Sequence, residues 1–221
     1  MTEHDHYPFP DARLLIFAKA PVPGQVKTRL AGRWGLRGAA KLYKKLLRRT
    51  LAIANAARLC PIELWAAPDA RHGFFIACRR DYGLRLRRQS SGDLGQRMNH
   101  ALTRTLRRNC PAVLIGADSA SLGAAELREA FQRLTTGADA VLGPAADGGY
   151  VLIGLNRPAP ALFRNVAWGT STVLDATRRR FRRTGLNWAE LPTGWDVDTP
   201  ADVQRWRQLQ TASAAPKYSA V

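Results

Sequence analysis

The sequence predicts an α/β fold with a mostly parallel central sheet covered by helices on both faces. Short apolar β-rich runs alternate with amphipathic helical stretches along the chain, the pattern of strands joined by crossover helices. The runs RLLIFA at 13–18 and AVLIG at 112–116 suit buried strands. Loops of unusual composition follow the strands, and in open α/β sheets ligands sit beyond the carboxyl ends of the strands. With 221 residues, 46% hydrophobic and 8% aromatic, the chain can bury a full core, which excludes a disordered basic tail protein. One domain is expected over 13–209, after a flexible segment 1–12 and before a small, polar, Pro-broken tail 210–221 that reads as disordered.

The elements follow in order. The strand at 13–18 ends in a Pro/Gly-punctuated loop. Residues 37–58 form a helix whose Tyr43, Leu46, Leu47, Thr50, Ala54 and Ala57 recur on one face. PIELWA at 61–66 reads as a second strand, 70–81 as a second helix, and 84–89, alternating Leu with Arg, as a half-exposed strand. A helix opens at Asp93 and runs to 108. The central strand 112–116 leads to Asp118, and 124–134 is helical, with Glu126 and Glu129 early, where the helix dipole favours acids. Residues 139–142 and 150–155 flank GPAADGG, 171–183 is a basic helix and 188–191 a last strand. Thr199-Pro200 then supplies an N-cap and a first-turn proline for a final helix.

Thirty-four Lys+Arg against 17 Asp+Glu give a net charge of +17. The arginines fall in short groups on several helices, with no aromatic residues interleaved at stacking spacing, so solvated faces explain them better than a nucleic-acid groove. A positive field still favours capture of an anionic ligand. No apolar run approaches the roughly 18 residues of a membrane helix, and MTEHDHYPFPDAR lacks the basic-then-apolar layout of a secretory signal. Cys60, Cys78 and Cys110, odd in number and far apart, fit reduced thiols and a cytoplasmic location.

Candidate chemistry lies in the loops. In Lys19-Ala-Pro-Val-Pro-Gly-Gln-Val-Lys-Thr-Arg29, a flexible Gly24 next to the rigidifying Pro21 and Pro23, followed by the cations Lys27 and Arg29 beside Thr28, sets donors where a helix begins, an arrangement phosphates favour. The dipole contributes only about 0.3–1 kcal/mol per charge, so the cations must supply most of the binding. The loop is neither a Walker A motif nor a G-x-G-x-x-G fingerprint, and a surface turn with incidental cations is the alternative. Asp118 projects from a strand end, and Asp198 shares one side of an extended segment with Asp196. Two carboxylates from separate loops plus a diphosphate suit Mg²⁺ or Mn²⁺, although Asp198 could instead cap the last helix. Asp147 with Gly148 and Gly149 forms either a ligand-approach loop or an Asp-Gly hairpin turn. The four histidines show no metal-ligand spacing, and Ser119 and Ser121 have no evident base partner.

The segments LLIFAKAPVPGQVKTRL, GDLGQRM, VLIGADSASL, GPAADGGYVLIGL, WGTSTVLDAT and GWDVDTPADV, over residues 13–207, resemble in order and spacing the bacterial DUF2064 family. That family is assigned to the GT-A, or nucleotide-diphospho-sugar transferase, superfamily, and some members are named arsenosugar-biosynthesis glycosyltransferases. The resemblance implies a Rossmann-like GT-A fold binding a nucleotide or nucleotide-sugar. Lys19, Gly24, Lys27, Thr28, Arg29 and Asp93 would serve the nucleotide and phosphates. Asp118 and Asp198 would hold the divalent metal, while Asp147, Gly148, Gly149 and Tyr150 would border the acceptor. The family usually reads G-S-D-C-P or similar around the central acid, where this chain has Gly116-Ala117-Asp118-Ser119-Ala120-Ser121. The acid is kept and its frame is not, which implies a looser loop.

The leading expectation is a metal-dependent glycosyltransferase in which Asp118 and Asp198 hold Mg²⁺ or Mn²⁺, Lys27 and Arg29 offset leaving-group charge, and Asp147 serves the hydroxyl of a small-molecule acceptor. A nucleotidyltransferase resembling the guanylyltransferases, releasing pyrophosphate, is the alternative. A non-catalytic nucleic-acid binder is a third reading, which requires a log–log salt slope near −0.9 per phosphate contacted on duplex DNA.

Overall fold

The structure, a computed structural model, describes residues 7–107 and 110–214. Seven strands form one sheet: β1 (Arg13–Lys19), β2 (Ile62–Ala67), β3 (Arg85–Arg88), β4 (Ala112–Gly116), β5 (Ala140–Pro144), β6 (Tyr150–Leu155) and β7 (Trp188–Glu190). Their order is β3-β2-β1-β4-β6-β5-β7. Neighbours pair in parallel except β6, which runs antiparallel to both β4 and β5. The expected mostly parallel sheet is therefore present, with one reversed strand made by the Asp147-Gly148 hairpin. The strand order reverses direction between β1 and β4, which puts the topological switch point beside the loops after those two strands.

Six helices cover the sheet: α1 (Ala31–Ala57), α2 (Gly73–Tyr82), α3 (Leu94–Leu106), α4 (Ala124–Thr135), α5 (Val173–Thr184) and α6 (Pro200–Ala214). The strands alternate their side chains between two cores. Leu14 and Ile16 of β1 join Tyr43 and Leu47 of α1, Phe75 of α2 and Phe131 of α4. Leu15 faces the other way, into a layer with Trp65, Met98 and Leu102 of α3 and Phe181 of α5. A third cluster docks α6 through Val203 and Trp206 onto Leu30, Leu46 and Trp195. Helix α1 starts earlier than its periodicity predicts because a short piece before Gly35, which has φ 66°, merges with the main helix across a kink.

Residues 1–6 of the 1–12 segment lie outside the described residues. Within 7–12, the Phe9 N–H donates to the Leu59 carbonyl at 2.9 Å, the Phe9 ring stacks on Phe131 at 5.4 Å, and Ala12 is buried, so an aromatic anchor packs this part of the segment expected to be flexible. Helix α6 runs on to Ala214, past the expected domain end at 209, because the first proline after Thr211 is Pro216. Residues 215–221 are outside the described chain. No described helix is long and apolar enough to cross a membrane.

Candidate active site

Helix α1 fixes the carboxyl ends of the two central strands. The Tyr43 hydroxyl accepts the Lys19 N–H at 2.9 Å, ending β1. Two turns on, the Thr50 hydroxyl donates to the Ala117 carbonyl at 3.2 Å, and the half-buried Arg49 guanidinium donates to the carbonyls of Ser119 and Ala120 at 3.4 and 3.1 Å. Residues 118–121 are bound from their other side by the segment that follows β7. Ala120 N–H donates to the Trp195 carbonyl, Val197 N–H to the Asp118 carbonyl, and Ser121 Oγ accepts the Trp195 N–H at 2.8 Å. The loop around the central acid is thus held on two sides, correcting the expectation of looseness: Ser119 and Ser121 supply the hydrogen bonds that clamp it. The same pairing brings Asp118 together with Asp196 and Asp198.

A cleft with a cavity of about 650 Å³ opens on this rim, within the size range of small-molecule sites. Lys27 lies at its centre. Its backbone is left-handed (φ 49°, ψ 41°) at the head of a single 3₁₀ turn, Thr28–Leu30, a strained conformation for a residue with a Cβ. Its side chain is only 4% exposed, and Nζ lies 2.6 Å from Asp118 Oδ2 and 2.7 Å from Asp198 Oδ1. Burial alone would push the ammonium pKa down, but the two carboxylates more than reverse this and leave it raised. The loop cation expected to meet a phosphate therefore bridges the two acids expected to hold a metal.

Asp196 completes the acid cluster. Its Oδ1 is buried without a hydrogen-bond partner. Its pKa is pushed up to about 8, first by burial, then by the Asp118 charge, with Asp198 and Asp147 adding to the rise and Lys27 opposing it. Asp147 sits at the hairpin tip, where its carboxylate accepts the Gly149 N–H at 2.9 Å. Gly148, φ 84°, lies so close to the Ser171 backbone that a Cβ would collide with it, and its carbonyl accepts the Leu174 N–H at 2.8 Å. The hairpin is thereby docked onto the start of α5. Tyr150 forms the adjoining wall with Trp168, the rings edge-to-face at 6.3 Å, and burial pushes its phenol pKa up.

The cleft thus gathers Lys19, Lys27, Thr28 and Arg29 with Asp118, Asp147 and Asp198, and Gly149 and Tyr150 also line it. Gly24 and Gly148 stay outside the lining and act through their turns, both at positive φ. Asp93 also stays outside: its carboxylate accepts the Gln96 N–H at 2.8 Å while Gln96 Oε1 accepts the Asp93 N–H at 2.9 Å, a capping box that starts α3. Arg97, four residues further, faces the cleft together with Leu94 and Met98 of the same GDLGQRM segment. The D-x-x-Q spacing carried that signal in the sequence, since a capping pair at 93 and 96 turns the following residues onto the helix face.

The donor set is all oxygen, with one carboxylate oxygen unpartnered, which suits Mg²⁺ or Mn²⁺ over a soft metal. Among the described residues no three His, Cys, Asp or Glu side chains close into a ready cage. A Mg²⁺ site of one or two carboxylates finished by substrate phosphate and water needs none, so the residues fit the ion.

This strand order and its switch point match the GT-A, or nucleotide-diphospho-sugar transferase, class. The chain belongs to the DUF2064 family, whose sequence model, described as an uncharacterized protein conserved in bacteria, matches residues 50–170. That span includes Asp118 and the Asp147 hairpin. Over 95% of this chain and 92% of the other, a Desulfovibrio desulfuricans G20 protein provisionally assigned as a nucleotide-diphospho-sugar transferase is similar at 30% identity and a TM-score of 0.82. A nucleotidyl transferase from Methanothermobacter thermautotroptrophicus shares the fold at 14% identity and a TM-score of 0.59, covering 91% and 98% of the two chains. So does the 4-diphosphocytidyl-2C-methyl-D-erythritol synthase of Anaerococcus prevotii DSM 20548, at 11%, 0.59, and 90% and 96%. None of the curated proteins matches the chain.

Proposed function

We propose that this protein is a metal-dependent transferase that uses a nucleotide-activated donor, with glycosyl transfer from a nucleotide-diphospho-sugar to a small-molecule acceptor as its reaction. The observation that carries the proposal is the pairing of Asp118 and Asp198 across the switch point, each within 2.7 Å of Lys27 Nζ. Asp118 and Asp198 would hold Mg²⁺ or Mn²⁺, which supplies Lewis-acid stabilisation to the diphosphate leaving group. A divalent ion competes with the Lys27 ammonium for the same oxygens. With those oxygens given to the ion, Lys27 would join Lys19 and Arg29 in neutralising the phosphates, with Thr28 adding a hydroxyl donor. Asp147, held by the Gly149 N–H, orients the acceptor hydroxyl or takes its proton, and Tyr150 and Trp168 shield that side from water.

Nucleotidyl transfer to a phosphorylated acceptor, with pyrophosphate released, uses the same metal and the same cations, and the fold shared with nucleotidyltransferases supports it as the second reading. Incubating the protein with sugar nucleotides plus a panel of small hydroxyl-bearing acceptors, and separately with nucleoside triphosphates plus sugar phosphates, in Mn²⁺ separates the two. Release of nucleoside diphosphate from the first set supports glycosyl transfer, and pyrophosphate from the second supports nucleotidyl transfer. Turnover that persists in Asp118→Asn would overturn the metal assignment for both.

A further inference from the structure

We propose that Arg97, held in place by Gln89, reads the base of the nucleotide donor and favours bases with an oxo-acceptor edge, guanine or uracil, over adenine or cytosine. The inference rests on the nucleotide reading above. Gln89 follows β3 and is 7% exposed. Its main-chain N–H donates to the Ala66 carbonyl at 2.9 Å, and its side-chain amide nitrogen donates to the carbonyls of Trp65 and Ala18 at 2.8 and 3.3 Å. Both amide protons are thus spent on the ends of β2 and β1, which fixes where the amide oxygen points. That oxygen accepts Arg97 Nη1 at 3.1 Å, and Arg97 Nε donates to the Asp93 carbonyl at 3.3 Å.

Two anchors leave Nη2 and one Nη1 proton for the cleft, which Arg97 and Gln89 both line. A guanidinium carries five donors and no acceptor, and one of the two lone pairs of the Gln89 amide oxygen is taken by Arg97. The free edge of Arg97 therefore presents donors to the cleft, which Phe17, Leu94 and Met98 also line. It lies over the β1–β2 junction, while Asp118 follows β4 on the other side of β1. That is one and a half strand spacings away, about 7 Å, so a donor whose phosphates sit at the acids extends its other end here. Guanine presents O6 and N7 as adjacent acceptors and uracil presents O4, whereas adenine and cytosine present amino donors at the equivalent places. An amino group against Arg97 leaves donors on both sides unpaired, and that opposition is the source of the selectivity. The loop at 66–73, a natural place to look for base contacts after β2, does not line the cleft.

The test measures binding of GDP, UDP, ADP, CDP and pyrophosphate by calorimetry, at fixed Mg²⁺, to the intact protein and to Arg97→Ala, Arg97→Lys and Gln89→Met. The intact protein is expected to bind an oxo-base diphosphate roughly tenfold or more tightly than either amino-base diphosphate. Arg97→Ala and Arg97→Lys both erase the preference, the latter because an ammonium keeps the charge and loses the fork. Gln89→Met reduces it in the same direction. Pyrophosphate affinity stays unchanged throughout and shows that each variant is folded. Equal affinity for oxo and amino bases in the intact protein overturns the proposal. So does a loss of pyrophosphate affinity in Arg97→Ala as large as its loss for GDP, which makes Arg97 a phosphate ligand. A preference unmoved in Gln89→Met removes the positioning role. If the intact protein binds none of the five ligands, the nucleotide reading itself fails.

Discussion

Lys27 offsets the charge of two carboxylates that would otherwise face each other beside a third. Replacing it with methionine leaves Asp118 and Asp198 without a counter-ion, and the metal-free protein should lose about 2 kcal/mol in urea denaturation. That is below the cost for a fully buried pair, because Asp198 is 43% exposed and water shares its charge. Millimolar Mg²⁺ should restore part of the loss in the variant; no restoration would place the ion elsewhere. Asp196 gives the metal-free fold a pH dependence of definite sign. Its folded pKa of about 8 lies above its unfolded value, so the native state holds an extra proton. Its contribution is complete below about pH 4 and is lost as pH rises through about 8. The parent's melting temperature is therefore expected to fall between pH 5 and 8 and Asp196→Asn to flatten that fall, and identical profiles would refute the assignment. The candidate acids were legible from their places after strands. The inward turn of Lys27 was not, since it depends on a left-handed backbone at a non-glycine residue, which no local composition specifies.

At the scale of elements, α1 acts as the brace of the site, reaching both central strand ends through Tyr43, Arg49 and Thr50. Arg49→Met should cost about 1–3 kcal/mol in denaturation, the range for hydrogen bonds from a charged donor. It should also weaken Mn²⁺-dependent nucleotide binding although Arg49 does not line the cleft; unchanged binding would mean the clamp from residues 194–198 suffices alone. In the hairpin, Gly148→Ala meets both a positive φ and the Ser171 backbone, and a loss of about 1–3 kcal/mol is expected from the strain. The strands and helices were largely readable because their apolar periods are strong. The reversed β6 was readable only as one of two outcomes for Asp147-Gly148-Gly149: the turn is a hairpin, and its tip lines the cleft. The packed residues 7–12 escaped notice because one phenylalanine, Phe9, anchors them across the sheet layer to Phe131.

For the molecule as a whole, the net charge of +17 divides between helix faces and a few cleft cations. Seven arginines, among them Arg48, Arg133 and Arg178, pair with acids outside the cleft, while Lys19, Arg29 and Arg97 line it. The field should speed capture of an anionic donor, so its association rate should fall with ionic strength while the rate of the bound complex stays constant; a salt-independent association rate would count against that role. The central claim is that Asp118 and Asp198 hold a divalent ion against a nucleotide-diphosphate donor. The most direct measurement is the thermal stability of the protein and of Asp118→Asn with a panel of nucleotide-sugars, with Mn²⁺ and with chelator. One donor at 100 times its Kd is expected to stabilise the parent fold by about 2.7 kcal/mol in Mn²⁺, with the effect disappearing in chelator and in Asp118→Asn. Equal stabilisation in chelator, or its persistence in Asp118→Asn, would contradict it.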